Sequence, residues 1–220
     1  MYEFRPAAIL AYASLLPEAI LTTLGLTASV FILAFPPAFA LARARRGRSL
    51  VLGLGARCWI ELFRNVPILV LLYTCFFGLA ELGLLLANWE AALLALTLNA
   101  SAYLAEIIRA GYAAIAPGQV EAARALGLRP FAIEWKVLAP QAFRAALPAL
   151  GNQAIGILLG SAAAAVIGVH DLGDWMLATG SSSFRYMEAF LAAALLYIGL
   201  AQALASGFAA LERRSRRRPL

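Results

Sequence analysis

Five stretches of this chain are each long and apolar enough to cross a bilayer, at residues 19–41, 60–80, 91–110, 145–168 and 189–211. About 20 apolar residues fill the hydrocarbon core of a membrane when helical. Inside that core every backbone N–H and C=O must find its partner within the protein, which restricts segments of this length to helices. The sequence therefore predicts an all-α membrane protein of five transmembrane helices. Composition agrees: 63% of residues are hydrophobic and 14% charged, against roughly 45–50% and 25% in soluble domains. No polar linker or low-complexity tract divides the chain, so residues 1–220 are expected to form a single transmembrane domain.

The net charge of +6 raises the question of nucleic acid, and the placement of the charges answers it. Arg43, Arg45, Arg46 and Arg48 follow the first span, and Arg124, Arg129, Lys136 and Arg144 occupy the central loop. Arg213, Arg214, Arg216, Arg217 and Arg218 finish the chain, while only Arg5 and Arg185 fall in the alternate segments. Basic clusters on every second loop follow the positive-inside pattern, whereas a nucleic-acid footprint is one continuous basic face. The expected orientation is N-terminus outside and C-terminus cytoplasmic, with no nucleic-acid partner. Residues 1–18 carry Glu3 and Glu18 and lack a basic region ahead of a small-residue cleavage site, so they read as an interfacial helix and not as a signal peptide.

Two spans carry polar groups that hydrocarbon does not tolerate unpaired. In span two, Arg57, Glu61 and Arg64 precede an apolar run, and Asn65-Val66-Pro67 breaks the helical pattern, predicting a kink or break near Val66. Such a break survives at membrane depth only against protein or a water-filled cavity. Arg64 and Pro67 are read as lining that cavity, with the interface as the alternative place for Arg64. In span three, Asn99, Tyr103 and Glu106 fall at i, i+4 and i+7, one stripe facing the bundle interior, with Ser101 nearby. Simple pairing of Glu106 with Arg109 is the competing account of those two charges.

The most water-compatible interior segment is Pro117 to Pro140, PGQVEAARALGLRPFAIEWKVLAP. Pro117-Gly118 stops span three. A short helix then starts, with Glu121 in its first turn beside the positive end of the dipole, and Ala122 and Ala123 giving it a thin surface. Gly127 suits the left-handed residue that ends such a helix. Pro130 suits the first position of the next one, whose apolar face is Phe131, Trp135 and Leu138, and Pro140 is expected to end it. An amphipathic hairpin on the lipid headgroups is the alternative. The small residues around Glu121 bury too little apolar area for that and favour insertion into a protein groove.

The triplet Glu121-Ala122-Ala123 with Gly127 and Pro140 resembles the EAA loop of ATP-binding-cassette importer permeases. Glu61-Leu62-Phe63-Arg64 with Pro67, Ala102 to Glu106 with Arg109, Gly118-Gln119, and Pro140-Gln141-Ala142 with Arg144, Pro148 and Asn152 extend the resemblance to the polar amino-acid branch of that family. It implies a type I importer fold and a cytoplasmic helix-turn-helix coupling loop at residues 117–140. In that reading Glu121, Ala122, Ala123, Gly127, Pro130, Trp135 and Pro140 meet the ATPase, while Arg64, Pro67, Asn99, Ser101, Tyr103, Glu106, Asn152 and Ser161 line the substrate pathway. The resemblance also implies a multi-pass protein of the bacterial inner membrane and a second permease subunit. Two ATPase subunits carrying ATP and Mg, and an extracytoplasmic amino-acid-binding protein, complete the assembly, with no catalytic residue or cofactor in this chain.

The chain departs from that branch at Leu71, Leu159, Ala162 and Ala139, where polar or bulkier residues are common. Loss of polar groups points to a heterodimer in which the partner carries most substrate contacts, ahead of a homodimer. Gly156 and Gly160 would allow close helix approach, either between subunits or within one. His170, Asp171 and Asp174 superficially suggest a metal, but the chain has one His, so solvation or contact with a binding protein is expected in place of a metal site. Cys58 and Cys75 read as buried packing thiols. A secondary transporter would show an inverted repeat, and an intramembrane hydrolase a nucleophile or metal constellation; neither is visible. A non-transporting scaffold, or a permease for another small polar solute, remains the alternative function.

Overall fold

The computed structural model describes residues 3–47 and 49–216, and is helical between short connections. Arg48, Arg217 and Arg218 of the basic clusters lie outside the described residues. Helix α1 (Leu16–Arg46) is entered directly from a 3₁₀ stretch, Pro6–Leu15. Then come α2 (Leu50–Asn65), α3 (Ile68–Glu81), α4 (Asn88–Ala113) and the short α5 (Gly118–Ala125). Helix α6 (Pro130–Ile167), α7 (Leu172–Ser183) and α8 (Tyr186–Arg216) complete the chain. Four runs are long and apolar enough to cross a membrane, and the broken pair α2 and α3 makes a fifth.

Small residues set how close the spans come. Ala34, Ala38 and Ala42 recur every four residues on α1 and are buried against α4, which answers with Ala91, Ala92, Ala95, Ala100 and Ala105. Methyl groups on both sides let backbones approach closely, which is the main source of helix association when lipid is as apolar as the helix surface. Helix α6 crosses α4 at Gly111, where an added Cβ would stand 2.5 Å from the Ala142 carbonyl oxygen. On the outer flank of the bundle, large apolar side chains such as Leu21, Ile32, Leu195 and Ile198 are exposed, as expected of surface that meets lipid or another subunit.

Four expectations need correction. The described part of residues 1–18 is not a separate helix, since the 3₁₀ stretch Pro6–Leu15 runs straight into α1 and docks on the α7–α8 elbow. There the Arg5 amide donates to Glu188 Oε1 at 2.9 Å and Trp175 Nε1 to the Tyr12 carbonyl at 2.9 Å. Pro140 does not end a helix: Ile133–Leu138 is a π-helical turn that widens the spiral just before it, and α6 continues through Pro140 into the span. Asp171, expected to be solvated or in contact with a binding protein, is buried and caps a helix, α7, between spans four and five, its side chain accepting from the Asp174 amide at 3.0 Å. Finally, Cys75 is buried but Cys58 is exposed.

Candidate functional site

Pro67 organises the first part of the site. Its missing N–H leaves the Phe63 carbonyl without a helical donor, and α2 breaks from α3 at 103°. Asn99 supplies the replacement, donating from Nδ2 to the Phe63 oxygen at 2.7 Å, while the Tyr103 hydroxyl reaches the Arg64 carbonyl at 3.4 Å. Asn65 Nδ2 covers the Glu61 carbonyl at 2.7 Å, and the Val66 amide covers that of Leu62 at 3.1 Å. The carbonyls of Glu61, Leu62, Phe63 and Arg64 are thereby satisfied, as irregular backbone at membrane depth requires.

The break opens a cleft of about 390 Å³ lined by Arg64, Pro67, Asn99 and Tyr103 and, from α6, by Gln153 and Gly156. The Arg64 guanidinium lies over the Tyr103 ring at 5.0 Å. Below it, a second recess of about 420 Å³ continues past Arg64 and Tyr103 to Glu106 and Arg109. Glu106 receives Arg109 Nη2 at 2.7 Å and faces Arg45 at 4.0 Å, so the pairing of Glu106 with Arg109 is present and α1 adds a second cation.

Of the pathway residues read from the sequence, Arg64, Pro67, Asn99, Tyr103 and Glu106 come together. Ser101 does not: two positions from Asn99 it points roughly 200° around the helix, is buried, accepts from Trp59 Nε1 at 3.2 Å and donates to the Leu98 carbonyl at 2.7 Å. Ser161 is also buried and bonded to the Leu158 carbonyl at 2.8 Å, and Asn152 is exposed outside the cleft. Gln153, absent from the sequence reading, lines the cleft instead. Its spacing to Gly156 and Gly160 at i, i+3 and i+7 was the available signal. Neither glycine has an atom within 4 Å of an added Cβ, so they are not used for packing within the chain. Leu71 lies in the core and Leu159 faces outward, so these two departures leave the polarity of the cleft intact.

The second part of the site is the connection from α4 to α6. Helix α5 ends on Gly127 at φ 74, with the Gly127 amide bonded to the Arg124 carbonyl at 2.9 Å and the Leu128 amide to that of Ala123 at 3.1 Å. Ala123 is buried beneath it, and Glu121, Ala122, Gly127, Pro130 and Phe131 are exposed. Pro130 stands at the first position of α6. Trp135 is half exposed and stacks on Phe39 of α1 with centroids 5.7 Å apart. Arg46 reaches Glu134 at 3.4 Å and covers the Tyr112 ring at 3.5 Å. Aromatic stacking and these charges hold the start of α6 to the ends of α1 and α4.

An all-helical bundle with a broken second span and an exposed short helix between spans three and four defines the type I importer permease fold. The crystal structure of an amino acid ABC transporter with histidines superposes with a TM-score of 0.89 at 33% identity, covering 97% of this chain and 100% of that one. A family described as "Binding-protein-dependent transport system inner membrane component" matches residues 34–217, and the chain belongs to that family. Similar proteins include the probable amino-acid ABC transporter permease protein YckA of Bacillus subtilis, 36% identical over 154 residues, 70% of this chain and 68% of that protein. The probable glutamine ABC transporter permease protein GlnM of the same organism is 34% identical over 156 residues, 71% and 72% of the two chains. The chain is thus a multi-pass inner-membrane component of a transport system.

Proposed function

We propose that the chain is a permease subunit of an ATP-driven amino-acid importer, forming one wall of the translocation path and carrying the element through which ATP hydrolysis acts on that wall. The observation that carries this reading is a projecting, rigidly tethered α5. Its exposed face of Glu121, Ala122 and Leu126 sits on a buried Ala123 and a left-handed Gly127, between two helices that also form the polar cleft. A helix presented in this way transmits displacement to α4 and α6 together. Binding to a groove in an ATPase subunit follows the helix-in-groove mode, with ATP and Mg held by the partner.

The cleft of Arg64, Asn99, Tyr103 and Gln153 is this subunit's contribution to the path, facing a second permease subunit across Gly156 and Gly160. A heterodimer is favoured over a homodimer: Asn99 is committed to the Phe63 carbonyl, and Glu106 to Arg109, which leaves few free groups to hold a zwitterion. Substrate is delivered by an amino-acid-binding protein on the outer face, with the N-terminus outside and α5 in the cytoplasm. Two conformations differing in affinity for substrate and for the ATPase pair give alternating access, since equal affinity would shift nothing.

The test is purification of the tagged chain from membranes in mild detergent, with identification of every co-purifying subunit. Recovery with an ATPase and a second, related permease is the expected result. Recovery with no ATPase, or with two copies of this chain as the only permease, would overturn respectively the importer assignment and the heterodimer.

A further inference from the structure

The last turns of α1 and the first turns of α2 border an open cleft of about 930 Å³. Its walls are aliphatic, from Leu41, Ala44, Val51, Leu52 and Gly55, and Arg43 stands at its mouth. The last turn of α1 carries three described arginines, and two are turned inward: Arg45 toward Glu106 at 4.0 Å and Arg46 to Glu134 at 3.4 Å. Among the described residues Arg43 has no anionic partner, and it is exposed. Beside it, Leu50, Val51, Leu52 and Leu54 are 77, 79, 63 and 51% exposed. A free guanidinium above an aliphatic slot joins two demands, an anion at the rim and hydrocarbon within.

We propose that this cleft between α1 and α2 binds an anionic phospholipid of the inner leaflet, its phosphate on Arg43 and an acyl chain against Val51, Leu52 and Gly55. Charge complementarity selects the headgroup: guanidinium pairs with phosphate in a bidentate fork, and basic pockets between helices on the cytoplasmic side suit anionic lipids. The aliphatic walls select a lipid over a soluble phosphate, which would leave them in contact with water. The site rests on the orientation proposed above, because only a cytoplasmic end of α1 meets the inner leaflet. Arg46 also lines the cleft, and its bond to Glu134 ties α1 to the start of α6, so an occupied cleft borders the connection to the coupling helix.

The experiment uses the intact complex, delipidated in detergent and titrated with spin-labelled phosphatidylglycerol or phosphatidylcholine. Immobilised phosphatidylglycerol should saturate at one per copy of this chain, with phosphatidylcholine bound more weakly. Arg43→Gln should weaken the anionic lipid about five-fold and the zwitterionic one less, because choline already offsets the charge of its phosphate. Gly55→Leu, placed where an added Cβ meets nothing within 4 Å, should fill the slot and weaken both lipids without disturbing assembly. Equal binding of the two lipids, or wild-type phosphatidylglycerol binding in both variants, would overturn the proposal. Displacement of the lipid by millimolar glycerol phosphate would also overturn it, by making the site one for a free phosphate. None of these readouts depends on transport or on sidedness, so a failed orientation assay and a failed lipid titration are separable results.

Discussion

The Phe63 carbonyl, orphaned by Pro67, is satisfied by one side chain from another helix, and this bond makes Asn99 a structural residue before it is a pathway residue. Asn99→Ala should lower stability by about 1–3 kcal/mol, the cost of an unsatisfied buried acceptor, read as a lower melting temperature of the purified protein. In a Pro67→Ala background, where a backbone N–H is again available, the same change should cost less. Equal losses in both backgrounds would contradict the assignment. On the other side of the bundle, burial raises the Asp171 carboxyl from 3.8 to about 6, with neighbouring Asp174 adding to the effect. Oδ2 has no hydrogen-bond partner among the described residues. A folded-state value above the unfolded one gives stability that is full below about pH 4 and lost as pH rises through about 6. Exposed His170, raised by its bond to Asp174, acts in the same direction. Melting temperature should therefore rise from pH 7.5 to 5, and Asp171→Asn, which still caps α7, should remove most of that slope, worth at most about 1.4 kcal/mol over this range. An unchanged slope would contradict the burial account.

At the scale of elements, the sequence was most legible where one residue type has one conformational use. Pro67 announced the break between α2 and α3, and Gly127 the end of α5. Pro140 misled because a π-helical turn absorbs the proline without ending the helix, an adjustment that leaves no compositional trace. Helix α7, LGDWMLATGSSS, escaped notice because twelve mixed residues lack a clear period, and its cap, Asp171, reads equally well as a solvated loop carboxylate. Spacing put Asn99, Tyr103 and Glu106 on one face, where they lie, whereas polarity alone placed Ser101 and Ser161 on the pathway, and their hydroxyls bond to their own helix. The α4–α6 crossing offers a test of element packing. Gly111→Ala places a methyl 2.5 Å from the Ala142 carbonyl oxygen and 3.1 Å from Ala146 Cβ, and should destabilise by about 1–3 kcal/mol through overpacking. Gly118→Ala, with nothing within 4 Å, should be near neutral in the same thermal assay. If the two variants melt alike, the close crossing is not what holds α4 to α6.

For the whole molecule, the family makes this an inner-membrane protein, and the proposed sidedness rests on where the arginines lie. Single cysteines at Ser181 or Ser182, both exposed, should label from outside in a background lacking Cys58 and Cys75, and cysteines at Gly47 and Gly118 only from the cytoplasm. Labelling of Gly118 from outside would invert the proposed orientation. The central claim is that α5 links ATP hydrolysis to movement of the cleft, and its form depends on two residues. Gly127 at φ 74 admits a β-branched side chain only with strain, and Glu121→Lys reverses the charge at the positive end of the helix. The direct measurement is ATP hydrolysis and amino-acid uptake, side by side, in proteoliposomes holding the purified complex with its binding protein. Wild type should couple the two; Gly127→Val and Glu121→Lys should insert and assemble but either release the ATPase or hydrolyse ATP with at least about ten-fold less uptake per ATP. Wild-type uptake per ATP in both variants, with full assembly, would contradict the account.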